Sequence, residues 1–197
     1  MKKASKSKTS TKFQEKEQVV YPLQGVGQVR KIFKRDFKGE ETLYYEIYLE
    51  VSDMTVFVPV DKAEELGIRA IVPKKHADAA LSLIAEEFEP VPADWKMRYQ
   101  MNLDLLKQGS IQDIATVVRA LYHRSKVKEL PILERKLFDS ALKLLVDEVS
   151  FSLNKSKSDV EELVFTRLES EPKKPAKKSS DKAADKDEKT EKADEKS

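Results

Sequence analysis

The apolar residues of this chain change their spacing partway along. Between residues 17 and 60 β-branched and aromatic residues gather in short runs broken by Gly, Pro and Ser-Asp, whereas beyond residue 74 they recur every three or four positions. The first pattern is that of strands and the second that of amphipathic helices. The chain is therefore expected to be α+β: a small Tudor- or SH3-like β-barrel module, partly open, followed by a bundle of about five helices.

Within the module, Val19-Val20-Tyr21 reads as a strand stopped by Pro22, and Val26 to Phe33 as a second, with Val29 and Phe33 on one face. Phe37-Lys38-Gly39-Glu40 has the form of a hairpin turn with glycine at the left-handed position. Leu43 to Val51 and Met54 to Pro59 are further strands, and Pro59 places the latter at an edge or an end. Such an edge can be extended by a partner strand. Residues 64–73 form a connector.

The first helix is expected from His76 to Phe88. The prolines at 90 and 92 end whatever precedes them, and Asp94 caps a new helix that runs to Lys107 and is closed by Gly109. Ser110 with Asp113 forms a capping box for the next. Pro131 suits the first turn of a fourth, whose apolar face includes Leu133, Leu137, Ala141 and Leu145, and Ser158 caps the last. Trp95, the single tryptophan, begins the second of these helices beside Lys96 and Arg98. Two readings of it stand side by side. With Tyr99, Leu103 and Leu106 it falls on one apolar face, as a core residue would; at a helix mouth flanked by cations it also suits a nucleic-acid contact. The two combine if Trp95 is packed at its base and exposed at its edge.

Charge is unevenly placed. Residues 1–12 hold five lysines and no acid, and residues 171–197 are charged with nothing more apolar than alanine, so both are expected to be disordered tails. That leaves 13–70 as the β-module and 71–170 as the helical domain. Residues 93–128 carry seven basic and three acidic residues, while the segments on either side are acidic. Trp95 stands at the start of this one basic segment.

The chain has no cysteine, which excludes disulfides and thiolate chemistry and fits a reducing, cytoplasmic setting. No apolar run is long enough for a membrane span, and the lysine-rich N-terminal stretch, lacking an apolar h-region, is not expected to act as a secretory signal. His76 and His123 lack partners at metal-ligand spacing, and the phosphate-loop and dinucleotide patterns are missing. Neither an enzyme nor a cofactor or metal is expected.

An ordered set of short motifs resembles the CarD/CdnL-like family of bacterial transcription regulators. It comprises Val19-Val20-Tyr21-Pro22, Gly25, Lys38-Gly39-Glu40, Met54 to Pro59, Gly67-Ile68-Arg69, Asp94 to Tyr99 with Asn102-Leu103, Gly109-Ser110 and Val117 to Leu121. The resemblance implies that the Tudor-like module, shared with transcription-repair coupling factors, binds a lobe of the RNA polymerase β subunit by extending a sheet edge. It implies that the helical domain contacts promoter DNA at the upstream edge of the melted bubble, with Trp95 as a minor-groove wedge that stabilises the open complex. Lys96, Arg98 and Tyr99 are then expected beside the wedge, with Arg119 and Arg124 adding cations. Arg35, Phe57, Val58 and Pro59 are the expected polymerase contacts. Phe57 stands where several members have arginine, and Met97 and Gln100 where members are often basic. A monomer is expected. The competing reading is a stand-alone DNA- or RNA-binding module with no polymerase partner.

Overall fold

The computed structural model describes residues 11–37, 39–87 and 92–170. The two predicted halves are both present. The N-terminal half is a five-stranded antiparallel sheet of β1 (Gln18–Tyr21), β2 (Gly25–Phe37), β3 (Glu40–Leu49), β4 (Met54–Pro59) and β5 (Arg69–Ala70), in the order β4-β3-β2-β1-β5. The sheet is Tudor-like but open: β4 and β5 are its two edges. Pro59 ends the β4 edge, as a residue without an amide proton must be placed. The connector contributes β5, which the sequence reading did not assign.

β2 and β3 form one long hairpin, with Gly39 in a positive-φ turn (φ 87°) stabilised by its amide donating to Asp36. The register slips between Val29 and Lys31, so Arg30 is an extra residue that bulges out. This bulge corrects one expectation. Val29 is buried against Ile47, but Phe33, opposite Tyr44, falls on the other face, because the slip inverts the alternation. Arg30 instead lies 3.6 Å over the Tyr48 ring. The module core is Phe13, Val19, Val29, Tyr45, Ile47, Leu49, Val58 and Ile68. Lys12 does not belong to a loose tail: its amide and that of Phe13 both donate to the Tyr45 hydroxyl, seating Phe13 in the core. The other tail assignments, residues 1–10 and 171–197, lie outside the described residues.

Gly27 shows how tightly this core is built. A Cβ there would stand 2.8 Å from both Ile47 and Leu49 side-chain carbons and 2.9 Å from the Tyr48 carbonyl oxygen, which is backbone and cannot rotate away. Gly27→Ala is expected to lower stability by about 1–3 kcal/mol through overpacking, read as a lower urea midpoint with an unchanged slope.

The C-terminal half contains α1 (Lys74–Ile84), α2 (Trp95–Gln108), α3 (Ile111–Val127), α4 (Ile132–Leu153) and α5 (Lys157–Glu169). α3 is central and packs against α1, α2 and α4, while α5 covers α1 and α4. The local signals act as the sequence predicts at three junctions. Asp94 accepts from the Lys96 amide, Gly109 ends α2 at φ 74°, and Ser110 accepts from the Asp113 amide while donating to its carboxylate. Three boundaries differ. α1 begins right after Pro73 and stops at Ile84 rather than reaching Phe88, which lies outside the described residues together with Pro90. The last helix is capped by Ser156, not Ser158, since Ser156 accepts from the Asp159 amide. Leu133 is 47% exposed, and the buried member of that turn is Glu134.

The halves are clasped together. Pro22, at the β1–β2 turn, sits against Gly67 and Gly109. Arg69, from β5, pairs with both carboxylate oxygens of Glu148 on α4 and donates to the Gly109 carbonyl at 2.7 Å. The Val72 amide also donates to Glu148 (3.3 Å), and a Cβ added at Gly25 would stand 3.5 Å from the Leu144 side chain.

Candidate nucleic-acid and partner surfaces

One end of the helical domain carries the tryptophan. The Arg98–Glu134 pair joins the first turn of α2 to the first turn of α4, and a short connection leads from the end of α3 at Val127 to the start of α4 at Ile132, so these three helix ends lie together. Trp95 is 38% exposed there. Val127, Ile132 and Leu133 are exposed at the same end, Leu133 contrary to the core position expected for it. Lys96, Lys126, Lys128 and Lys136 are exposed on these same turns. The end thus presents apolar surface among lysines, with Asp94 and Glu129 exposed on the same turns, Glu129 paired with Arg135 and Lys126 4.0 Å from Glu169; exposed apolar groups beside cations are a composition that can meet bases and phosphates together.

Several candidate residues sit differently from expectation. Arg98 is only 3% exposed. Its Nε and Nη2 donate to the two Glu134 oxygens at 2.6 and 2.8 Å, and its Nη1 donates to the carbonyls of Pro92 (2.7 Å) and Ala93 (3.2 Å). Committed to these acceptors, it presents no charge to a phosphate, and the expectation of a DNA contact is corrected. Arg119 is likewise turned inward: it donates to the Leu83 carbonyl at 2.9 Å and lies 4.0 Å from Glu86, at the end of α1. Tyr99 is partly buried against the helical core, so at most its edge is accessible. Arg124 is half-buried on the last turn of α3, at the tryptophan end. Burial, and secondarily the Arg119 charge, hold His123 below its ordinary value, so it is neutral near pH 7 and a poor phosphate ligand.

The second surface is on the β-module. β4 pairs only with β3, leaving its outer row of backbone groups unpaired by the sheet. Phe57 is 51% exposed and opposes Glu46, while Val58 opposes Tyr45 and is buried in the module core. The expected contact from the Val58 side chain is therefore corrected: the residue is 3% exposed and packs inward. Pro59 is half-buried opposite Tyr44, and Arg35 is exposed opposite Thr42. By register Arg35, Phe57 and Pro59 share the outer face, with Phe33 and Tyr44 in the row between Arg35 and Phe57. Those two aromatics, absent from the expected set, share this face: Phe33 stacks on Tyr44 at 6.1 Å, and Phe57 meets Phe33 edge-on at 5.8 Å. The signal was the run of aromatics in the hairpin, hidden by the bulge that decides which of them face outward.

Among the described residues there is no cluster of acidic or imidazole groups suited to a metal ion, and no helix is long and apolar enough to cross a membrane. The fold thus sets a β-module with an open sheet edge beside a helical domain with a mixed apolar–basic end. The comparisons with known proteins go further. Residues 13–72 match the family described as CarD-like/TRCF RID domain, and residues 79–165 match CarD, C-terminal domain. A Bacillus subtilis (strain 168) protein named "Putative transcription factor YdeB" is 36% identical over 141 residues, covering 70% of this chain and 90% of the relative. The chain belongs to the CarD-like family of transcription factors, and transcription regulation is its functional class.

Proposed function

We propose that the protein binds the β-subunit lobe of RNA polymerase through the β4 edge and its aromatic outer face, and sets Trp95 against the upstream edge of melted promoter DNA, prolonging the open complex. The observation that carries this reading is the placement of Trp95: a partly exposed residue at a capped helix mouth next to Lys96, one turn ahead of Arg98, whose partner Glu134 directly follows the exposed Ile132 and Leu133. An apolar ring between bases requires a few kcal/mol of unstacking, least where the duplex is already open, so a wedge favours a melted junction. The lysines add salt-dependent phosphate affinity without sequence preference. With acidic segments on both sides of the basic one, the protein gains from being tethered, which raises its effective concentration at the promoter into roughly the millimolar range.

Trp95→Ala tests the wedge. Its far-UV spectrum and polymerase binding are expected to stay unchanged, while open-complex lifetime under competitor challenge falls about tenfold, the equivalent of about 1.4 kcal/mol. An unchanged lifetime overturns the reading. Phe57→Ala should weaken capture of the isolated β lobe; tight duplex binding with no response to polymerase would favour a stand-alone nucleic-acid-binding module.

A further inference from the structure

The buried charges of α2 and α4 occupy positions where helices of this pattern normally carry apolar side chains. Arg98 shares the inward face of α2 with Asn102 and Leu106, and Glu134 shares that of α4 with Leu137 and Ala141. Both are essentially removed from solvent, at 3% and 0% exposure. A buried ion pair is a poor way to gain stability, since desolvation offsets most of the attraction and an apolar pair of similar volume often does as well. What the pair supplies that apolar residues cannot is direction. The guanidinium spreads its donors over a plane: two go to Glu134, and the Nη1 group goes to the carbonyls of Pro92 and Ala93. Those carbonyls belong to the strand of chain that leads into the Asp94 cap.

We propose that Arg98 and Glu134 are positioning residues that mount Trp95. In the chain the tryptophan lies between the lead-in at 92–93, to which Arg98 donates, and Arg98 itself, which Glu134 holds to the first turn of α4. Asp94 adds a third fixing by capping the helix that Trp95 starts. The same pair holds the first turn of α4, with exposed Ile132 and Leu133, at the end of the domain where Trp95 lies. A ring that must enter a base stack gains from being fixed beforehand, because ordering it on binding subtracts from the binding free energy. The inference rests on the wedge reading for its purpose, but not for its structural content.

The chain's single tryptophan separates the two, since intrinsic tryptophan fluorescence reports on Trp95 alone. In the full-length protein, the double variant Arg98→Met/Glu134→Met removes the ties to the lead-in while retaining buried volume. It is expected to keep its far-UV spectrum and its affinity for the β lobe. Its Trp95 anisotropy decay gains a fast component, acrylamide quenching increases, and open-complex lifetime drops toward that of Trp95→Ala. Arg98→Lys, which keeps the charge but not the planar fork, is expected to loosen Trp95 in the same way and serves if the double variant does not fold. Wild-type anisotropy and quenching in the folded variants overturn the mount. So does a loosened Trp95 with a wild-type lifetime, provided that Trp95→Ala itself shortens it. If Trp95→Ala has no effect, the wedge reading fails, and the fluorescence measurements alone decide whether Arg98 and Glu134 hold the ring.

Discussion

Glu134→Ala is expected to destabilise the protein by about 3–5 kcal/mol. The substitution leaves the Arg98 guanidinium, 3% exposed, facing an empty space where a carboxylate had accepted two of its hydrogen bonds. A buried cation stripped of its counter-ion carries nearly its whole desolvation penalty, whereas removing both charges together removes the penalty with them. The contrast with Arg98→Met/Glu134→Met is therefore the diagnostic: the single variant should be much less stable than the double. Natural domains hold only about 5–15 kcal/mol in reserve, so the single variant stands close to unfolding at physiological temperature. Urea titration followed by far-UV circular dichroism measures both; equal midpoints for single and double variants would show that the pair is not electrostatically coupled.

Arg69→Ala has the second largest expected effect, about 3 kcal/mol, at the low end for a buried pair because Arg69 is 28% exposed and partly screened. Glu148, at 1% exposure, would lose its bidentate partner and keep only the Val72 amide at 3.3 Å, and the Gly109 carbonyl would lose its donor. Because this pair bridges the β-module and the helical domain, its loss should do more than lower the midpoint. Unfolding followed by far-UV dichroism and by Trp95 fluorescence, which coincide when the two cores melt together, should separate in the variant. Coincident transitions at the wild-type midpoint would rule out a clasp at this position.

Much of the fold was written locally. The caps at Asp94 and Ser110, the stop at Gly109 and the terminal proline of β4 each depend on residues within a turn of one another, and each is found as expected. The Ser156 cap was equally local: Ser156 with Asp159 is a capping pair, two residues ahead of the serine assigned that task. The bulge after Val29 was not legible in the same way, since it arises from how β2 is matched against β3, and it alone decides that Phe33 joins Phe57 outside. Arg98 is the sharper case. Its neighbours in the chain, Lys96 and Trp95, make it look like part of a basic contact surface, but its partner lies 36 residues away. The one available hint was a charge on the apolar phase of each of two helices. Either alone reads as a surface residue; the two together are complementary, and only the bundle brings them into contact. For the candidate surfaces, then, the sequence singled out Trp95 and the edge strand, while tertiary packing decided which neighbours face outward.

The seating of Pro22 bears on how this protein can be dissected. The family boundary between residues 72 and 79 suggests a natural place to cut the chain. The fold is not divided there. Tyr21, Pro22 and Leu23 of the β1–β2 turn share a small cleft with Leu106, Ile114 and Leu144, and Gly67 and Gly109 approach the proline ring from the two halves. A cut at the boundary strips the cover from both sides at once, leaving a raw apolar turn on one fragment and an uncovered helix junction on the other. Fragments made this way carry sticky faces that the intact molecule hides, so self-association measured on them describes the scar and not the protein.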